Sequence, residues 1–352
     1  MTPSRFANSP PIVARAILAA LALALIATVS ATVGPRGQAG SDTGTTAGGD
    51  DLVLYRTIVA RVAAGQAYYP VAAQELRTEG YPLKPFVAFR LPTLAVAVAA
   101  IGQPAAAALL AVLTALTTFA WWRRWRDEGL GHAWLPTLLL FTGTSVGLNP
   151  NFALLHEVWA GLFIALAVAL YRPDQWLLSF LLVALALAIR ELALPVIGLF
   201  GFWAWRAGRG KESAAWTLLG LAFGLGLLAH YSAVSAVLQT SDPTSPGWST
   251  FGGSQAYFRA LAMTGPFRVF PDPVAQALVL LAMVGWAARA SWTGEFVLLL
   301  LAGYGLLLSC VGRPENFYWG FMLASLVPVG LAFLPSALQD LVSAASPRKG
   351  LA

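Results

Sequence analysis

Residues 104 to 126 read PAAAALLAVLTALTTFAWWRRWR, and this segment decides the class of protein. Its apolar part, residues 104–122, is long enough to cross a hydrocarbon core of about 30 Å at about 1.5 Å of rise per residue. Tryptophans at the end of a span lie at the membrane interface, and arginines beyond them are typical of the cytoplasmic side. The segment therefore predicts a transmembrane helix that ends at the cytoplasmic face.

The composition of the whole chain agrees with this segment. Of 352 residues, 58% are hydrophobic and 11% are charged, whereas a soluble domain has roughly 25% charged residues. We therefore predict an all-α, polytopic membrane protein. The net charge of +6 does not indicate nucleic acid as a partner, because the basic residues stand in short segments between apolar runs and act as topology determinants. The only cysteine, Cys310, excludes a disulfide framework or a cysteine metal site within one chain.

Apolar runs predict about ten transmembrane helices with both termini in the cytoplasm. The runs are 16–33, 104–122, 133–148, 152–171, 176–189, 192–205, 214–238, 274–288, 296–311 and 321–341. Residues 91–101 are too few to cross the membrane alone, and Gly102-Gln103-Pro104 interrupts them. The short loops that this order places inside carry eight arginines or lysines, against two in those placed outside, in agreement with the positive-inside rule.

The predicted domain organisation is one membrane domain over 1–345 and a cytoplasmic tail over 346–352. The first apolar run has an alternative interpretation, because Val29-Ser30-Ala31 resembles the cleavage site of a signal peptide. A retained helix and a cleaved signal peptide both leave residue 50 outside the membrane.

Two long polar segments, 34–90 and 239–273, are external in this topology. In the first, residues 34–49 are rich in Gly, Ser and Thr and predict a flexible arm. The next residues predict an amphipathic helix lying on the membrane surface, since one helical face carries Leu52, Tyr55, Val59 and Val62. Beyond it, Tyr81-Pro82 and Lys84-Pro85 disfavour regular structure.

Four charged motifs fall on the external side: Asp50-Asp51, His156-Glu157, Arg190-Glu191 and Arg313-Pro314-Glu315-Asn316. A charge at membrane depth costs about 2.5–3.5 kcal/mol, so such residues usually line a cavity or pair with each other. Because all four motifs lie on the same side, the sequence predicts one polar cavity at the outer boundary of the membrane.

Each motif also has a purely structural interpretation. Asp50 could cap the helix that follows it, and His156 could be an ordinary interfacial histidine. Arg190 and Glu191 could form a self-contained ion pair, and Arg313 could extend to lipid headgroups. If each motif had a separate structural cause, nothing would require all four motifs to lie on the external side.

Several features together give the chain a resemblance to a known family. A first transmembrane helix is followed by a long external loop with the pair Asp50-Asp51, Tyr55 and the run Gly65-Gln66-Ala67-Tyr68-Tyr69, then by short paired spans and an external Arg313 near the end. In these respects the chain resembles the GT-C superfamily of integral membrane glycosyltransferases. It is most similar to bacterial members that use polyprenyl-phosphate sugars, namely the protein mannosyltransferase and lipid A aminoarabinose transferase branches. The resemblance implies a bacterial inner-membrane enzyme whose active site faces outward.

The resemblance also implies a reaction and roles for the residues. A sugar would pass from a polyprenyl phosphate to a glycan, lipid or protein acceptor with inversion. Asp50 or Asp51 would be the base that takes the acceptor's proton, and Arg190 and Arg313 would hold the leaving phosphate. Asp50 is favoured, because Asp51 is rotated by about 100° on a helix and would face water or Arg56.

The remaining candidate residues concern substrates and a metal. His156 and Glu157 would orient the acceptor or, with an aspartate, bind a divalent metal, and the need for a metal is left open. The wider set of predicted substrate-binding side chains is Tyr55, Arg90, His156, Glu157, Arg190, Glu191, Arg313, Glu315 and Asn316.

Two other classes of function remain as alternatives. A transporter or flippase of a lipid-linked saccharide would also need an arginine-lined cavity, but with access from both faces. A non-catalytic subunit of an envelope-assembly complex would use the external loop to dock a partner. A transferase requires its aspartate within reach of the arginines that bind phosphate, and a docking subunit does not.

Overall fold

The computed structural model describes residues 4–33, 47–245, 247, 251–311 and 314–346; for residues 29, 31–33, 47–50, 314 and 315 it describes the backbone alone. Every regular element within these residues is helical, which confirms the predicted all-α class. The α-helices are α1 Pro11–Val33, α2 Ala47–Ala63, α3 Tyr68–Thr78, α4 Pro92–Ile101, α5 Gln103–Asp127, α6 Trp134–Thr144, α7 His156–Leu170, α8 Leu177–Ile189, α9 Leu194–Arg206, α10 Gly210–Ser235, α11 Gly253–Thr264, α12 Asp272–Ala288, α13 Trp292–Cys310 and α14 Leu334–Ala345. Short 3-10 helices are Phe86–Ala88, Ser145–Leu148, Pro150–Leu154, Pro173–Gln175, Glu191–Ala193, Pro266–Val269, Pro314–Met322 and Pro328–Ala332.

Four of these helices are long and apolar enough to cross a membrane: α1, α5, α10 and α13. Two of them leave large apolar side chains uncovered by protein, as Leu23 of α1 is 67% exposed and Leu225 of α10 is 68% exposed. Apolar surface of this extent is typical of a face that meets lipid. Shorter apolar helices, such as α7 and α8, alternate with them. The count of ten crossings stays a prediction.

The apolar run 321–341, predicted to be one crossing, does not form one continuous helix. Residues 323–327 form turns, Pro328–Ala332 is a 3-10 helix, and α14 begins only at Leu334. Pro328 and Pro335 stand at the first turns of their helices. Because proline lacks the N–H that a continuing helix needs, the apolar run is divided into short pieces.

The chain divides into two compact units. One comprises residues 1–40, 118–144 and 251–352, and the other comprises 41–117 and 145–250. The described part of the first segment predicted to be external, residues 47–90, therefore belongs to the second unit, together with α7, α8 and α10.

In the second unit, the first external segment folds around its own apolar core. Leu54 and Ile58 of α2 are 3% and 5% exposed, and they pack with Val71 of α3 and with Leu83. The predicted helix is confirmed, and Tyr55, Val59 and Val62 of its predicted apolar face pack partly buried against this core. The position of the helix on a membrane surface stays a prediction. The sequence analysis did not predict helix α3, whose buried face packs against the apolar side chains of α2.

Other expectations for the external segments also need correction or lie outside the description. The helix α2 begins at Ala47, so Asp50 lies inside its first turn and is not the N-cap residue. The flexible arm was predicted over 34–49; residues 34–46 lie outside the described residues, and 47–49 belong to α2. The segment 239–273 contains α11, with Tyr257 and Leu261 buried.

In the second unit, a polar clamp joins α3 and the residues that follow it to the segment around Asp242. Arg77 of α3 donates from Nε and Nη2 to the carboxylate of Asp242 at 2.6 and 2.8 Å. The backbone N–H of Leu83 donates to the Pro243 carbonyl at 3.0 Å, and that of Ser245 donates to the Lys84 carbonyl at 2.7 Å. These bonds fix the segment around residue 84, from which the chain runs to Arg90.

Candidate functional site

The second unit brings together residues from two of the predicted charged motifs. The guanidinium Nε of Arg190 lies 2.8 Å from Glu157 Oε1, and Arg190 Nη1 also contacts Glu191. Nη2 of Arg90 lies 3.8 Å from the same Glu157 oxygen. We call these four residues the arginine–carboxylate cluster.

The local sequence explains why the ends of α7 and α8 place these side chains in the cluster. Pro150 starts a 3-10 turn whose cap is Asn149, and α7 then begins at His156. Glu157 therefore occupies the first turn of α7, where a carboxylate interacts favourably with the helix dipole. On the other side, α8 ends at Ile189 and Arg190 is extended, with φ −144° and ψ 116°. Arg190 consequently points away from the helical run into the region of Glu157.

Burial makes the central ion pair the dominant interaction of the cluster. The side chains of Arg190 and Glu157 are 1% and 3% exposed, whereas Glu191 is 26% exposed. The N–H of Arg190 Nε is not aligned with Glu157 Oε1, so their contact is an ion pair rather than a directed hydrogen bond. Two arginines and two glutamates balance in charge, which limits the desolvation penalty that buried ions incur.

Tyr55 of α2 links the external segment to the cluster. Arg90 Nε donates a hydrogen bond to the Tyr55 hydroxyl at 3.1 Å. The Arg90 carbonyl accepts a bond from the Tyr68 hydroxyl at 2.8 Å. Burial raises the pKa of Tyr68 well above its ordinary value, so this hydroxyl stays protonated and donates. Helices α2 and α3 thus hold Arg90 by its side chain and its backbone.

His156 is a buried imidazole beside these groups. It is 3% exposed, and its ring meets the ring of Tyr55 edge-on, with 5.6 Å between the centroids. Neither ring nitrogen makes a hydrogen bond of normal geometry, although the backbone of Leu91 lies beside the ring. Buried polar nitrogens are usually hydrogen-bonded. His156 is therefore an exception to this rule among the buried side chains of the second unit.

Asp51 lies on the same face of α2 as Tyr55, one turn before it. Its Oδ1 accepts a hydrogen bond from the Tyr81 hydroxyl at 2.6 Å. The expectation of a contact with Arg56 is wrong, because Arg56 instead donates to Asn151 at 3.1 Å, whereas Asp51 itself is partly exposed. The side chain of Asp50 lies outside the description, so the choice between the two aspartates stays a prediction.

The fourth predicted motif belongs to the other unit. Arg313 and the side chain of Glu315 lie outside the described residues. Asn316 donates from Nδ2 to the hydroxyl of Tyr318 at 3.1 Å. The proposed role of Arg313 with Arg190 stays a prediction. Among the residues that the structure describes, no three His, Cys, Asp or Glu side chains are placed to hold a metal ion.

The structure adds one polar residue that the sequence interpretation missed. His230 of α10 is 4% exposed, and its Nδ1 lies 3.0 Å from the hydroxyl of Tyr69. Its ring also packs against Phe86, with 5.9 Å between the centroids. A histidine inside the apolar run 214–238 was the signal that could have revealed this position. The contact joins α10 to the part of the chain that carries Arg90.

The fold and the site define the chain as an all-helical protein with helices suited to a membrane and a buried arginine–carboxylate cluster. Comparison with protein-family models, with curated proteins and with solved structures gives no match.

Proposed function

We propose that the protein is a membrane glycosyltransferase that moves a sugar from a polyprenyl phosphate to a glycan, lipid or protein acceptor. The observation that carries the proposal is the arginine–carboxylate cluster, which Tyr55 joins to the helix bearing Asp50 and Asp51. The candidate bases, Asp50 and Asp51, and one of the candidate phosphate-binding cations, Arg190, thus belong to one unit of the fold.

In the proposed reaction, the acceptor hydroxyl oxygen attacks the anomeric carbon of the sugar. The bond between that carbon and the phosphate oxygen breaks, and the polyprenyl phosphate leaves with the electron pair. The acceptor's proton passes to Asp50 or Asp51. A single displacement of this kind inverts the anomeric centre, and general-base assistance typically contributes about 10²–10⁴-fold to the rate.

The exposures within the cluster suggest how the phosphate enters. Glu157 is enclosed with Arg190, whereas the more exposed Glu191 is the partner that an anion from outside would replace. A guanidinium has five N–H donors in a fixed fork, so Arg190 can bind Glu157 and a phosphate together. Binding of the donor would then exchange one anion for another at Arg190.

His156 and Tyr55 fit a role with the acceptor. A neutral imidazole has one donor and one acceptor nitrogen, and neither nitrogen of His156 is engaged by another side chain, so the ring could bind a hydroxyl group. The Tyr55 ring against His156 fixes the orientation of the imidazole.

The proposal is tested first by identifying the donor. We expect deletion of the gene to raise the cellular level of one polyprenyl-phosphate sugar, measured by mass spectrometry of extracted lipids. The wild-type gene should restore the normal level, and Arg190→Lys should fail to do so, because lysine keeps the charge but lacks the guanidinium fork. Arg206→Lys, at an exposed arginine, is the matched control.

A flippase would also cause a lipid-linked sugar to accumulate, so the side of accumulation separates the two functions. Loss of a transferase that faces outward leaves the sugar accessible to an impermeant reagent added to intact cells. Protection of the accumulated sugar from that reagent would indicate a flippase. An unchanged lipid profile, or full restoration by Arg190→Lys, would contradict specific phosphate recognition at the cluster.

A further inference from the structure

The helix α5 exposes one face that changes from apolar to basic along its length. Val112, Leu116 and Phe119 are 53%, 51% and 52% exposed. Arg123 and Arg126, both exposed, continue the same series at spacings of three and four residues. Side chains at these spacings share one face of a helix. A phospholipid presents the matching order, with acyl chains followed by a phosphate.

The two arginines at the end of this face differ from the arginine between them. Arg124 is buried and paired with Glu128 at 2.8 Å. Neither Arg123 nor Arg126 forms a salt bridge with any residue that the structure describes. The guanidinium of Arg126 instead lies over the indole of Trp122, 5.0 Å from the ring centroid. This stacking orients the guanidinium and leaves its N–H edge for an oxyanion.

Two adjoining cavities lie at the same place. One, of about 520 Å³, is lined by Phe119, Trp122, Arg123, Arg126 and Asp127. The other, also of about 520 Å³, is lined by Trp122, Arg126, Gly129, Leu130, Gly131, Ala133 and Trp134. Trp122 and Arg126 line both cavities. Two arginines and one aspartate give the first cavity a net charge of +1.

Apolar aromatic side chains border the cavities. Phe119 is 52% exposed and Trp134 is 62% exposed. Tryptophan beside arginine is the combination that anchors a span at the level of lipid headgroups. A soluble anion would use the arginines alone, whereas a lipid would also cover these rings.

We propose that Arg123, Arg126 and Trp122 form a binding site for an anionic glycerophospholipid. The phosphate diester would accept hydrogen bonds from the two guanidiniums, and the acyl chains would lie along Phe119 and the apolar face of α5. Basic clusters beside a transmembrane helix attract anionic lipids in this way. The site requires a membrane location, and it is independent of glycosyl transfer.

The test uses the full-length protein, purified in mild detergent and supplied with phosphatidylglycerol or phosphatidylcholine at equal concentrations. Lipid that remains bound is counted by native mass spectrometry. We expect the wild-type protein to retain phosphatidylglycerol in preference to phosphatidylcholine. The double variant Arg123→Gln and Arg126→Gln should retain about tenfold less phosphatidylglycerol, since each arginine near an anionic lipid contributes appreciably to binding. Both side chains are exposed, so the variant is expected to fold.

The control is Arg206→Gln, which removes an exposed arginine beside an exposed tryptophan, Trp205, at the end of α9. Its lipid retention should equal that of the wild type. Equal losses in the control and the double variant, or no preference between the two lipids, would overturn the site. Displacement of the lipid by millimolar glycerol phosphate would show that the site takes a soluble anion, which also contradicts the proposal.

Discussion

At the scale of single residues, Glu157 is the more deeply buried of the two carboxylates in the cluster. It is enclosed at 3% exposure, touches Arg190 at 2.8 Å and lies 3.8 Å from Arg90. Removing one member of a buried ion pair leaves the other charge uncompensated, which costs more than the pair contributed. This position should therefore be sensitive even to an isosteric change.

We expect Glu157→Gln to lower the unfolding free energy by on the order of 3 kcal/mol, because Arg190 keeps only its more exposed partner Glu191. The measurement is the apparent unfolding temperature of the purified protein in detergent. Glu79→Gln, at an exposed carboxylate that ends α3, is the control and should be neutral. Equal unfolding temperatures for Glu157→Gln and the wild type would show that Arg190 is not buried with this partner.

At the scale of elements, the clamp joins α3 to the segment around Asp242. Hydrogen bonds from Arg77 lower the pKa of Asp242 from 3.8 to about 2. The folded state therefore favours the charged carboxylate, and its contribution to stability is present above pH 4 and is lost as the pH falls towards 2.

We expect Asp242→Asn to destabilise the fold by about 2 kcal/mol at neutral pH, because the hydrogen bonds from Arg77 hold the pKa of Asp242 at about 2. The difference in unfolding temperature between the wild type and the variant should shrink as the pH falls from 4 to 2. Amide hydrogen exchange of α3 should be faster in the variant at neutral pH. Asp174→Asn, at an exposed aspartate, is the control. A difference that does not depend on pH would contradict the linkage.

A second prediction at this scale concerns the close packing of α12. A methyl group at Gly285 would lie 1.8 Å from the carbonyl oxygen of Gly330, and one at Gly330 would lie 1.9 Å from that of Ala282. Backbone oxygens cannot move aside as a flexible side chain can. We expect Gly285→Ala and Gly330→Ala to lower the yield of folded protein and its unfolding temperature.

The control for these variants is Gly303→Ala on α13, where nothing lies within 4 Å of the added methyl group. That change should be neutral or slightly stabilising, because alanine favours a helix more than glycine does. Normal yield from Gly285→Ala would show that α12 does not approach Gly330 closely.

The elements also show what the sequence could and could not predict. The helix over Tyr55 and Val59 and the break at Gly102 follow from local periodicity and backbone chemistry, and both are confirmed. Hydropathy alone predicted a single span over 321–341, because it does not weigh the prolines. The helix α3 was missed because its buried face is set by packing against α2 and α4.

The same limit applies to the candidate site. Sequence placed Glu157 and Arg190 on one side of a predicted membrane, but their contact depends on how α7 packs against α8. The bond of Asp51 to Tyr81 spans 30 residues and has no local pattern. His230 lies within an apolar run, where a periodicity analysis treats it as an interruption.

At the scale of the whole molecule, the orientation in the membrane decides which side the candidate site faces. In a Cys310→Ala background, a single cysteine at Thr78 should react with an impermeant thiol reagent added to intact cells, since Thr78 is exposed and lies in the segment predicted to be external. A cysteine at Lys211 should react only after permeabilisation. The reverse pattern would overturn the orientation and with it an outward-facing site.

The central claim is that an aspartate of α2 acts as the base for sugar transfer, and the most direct test is transfer by the purified protein. The assay supplies the protein in lipid nanodiscs with the labelled polyprenyl-phosphate sugar identified by gene deletion, and with membranes of the deletion strain as acceptor. We expect Asp50→Asn or Asp51→Asn to lower transfer at least about 100-fold. Asparagine is similar in shape, so stability should be kept. The control Asp174→Asn should transfer at the wild-type rate. Full transfer by both Asp50→Asn and Asp51→Asn would contradict the claim.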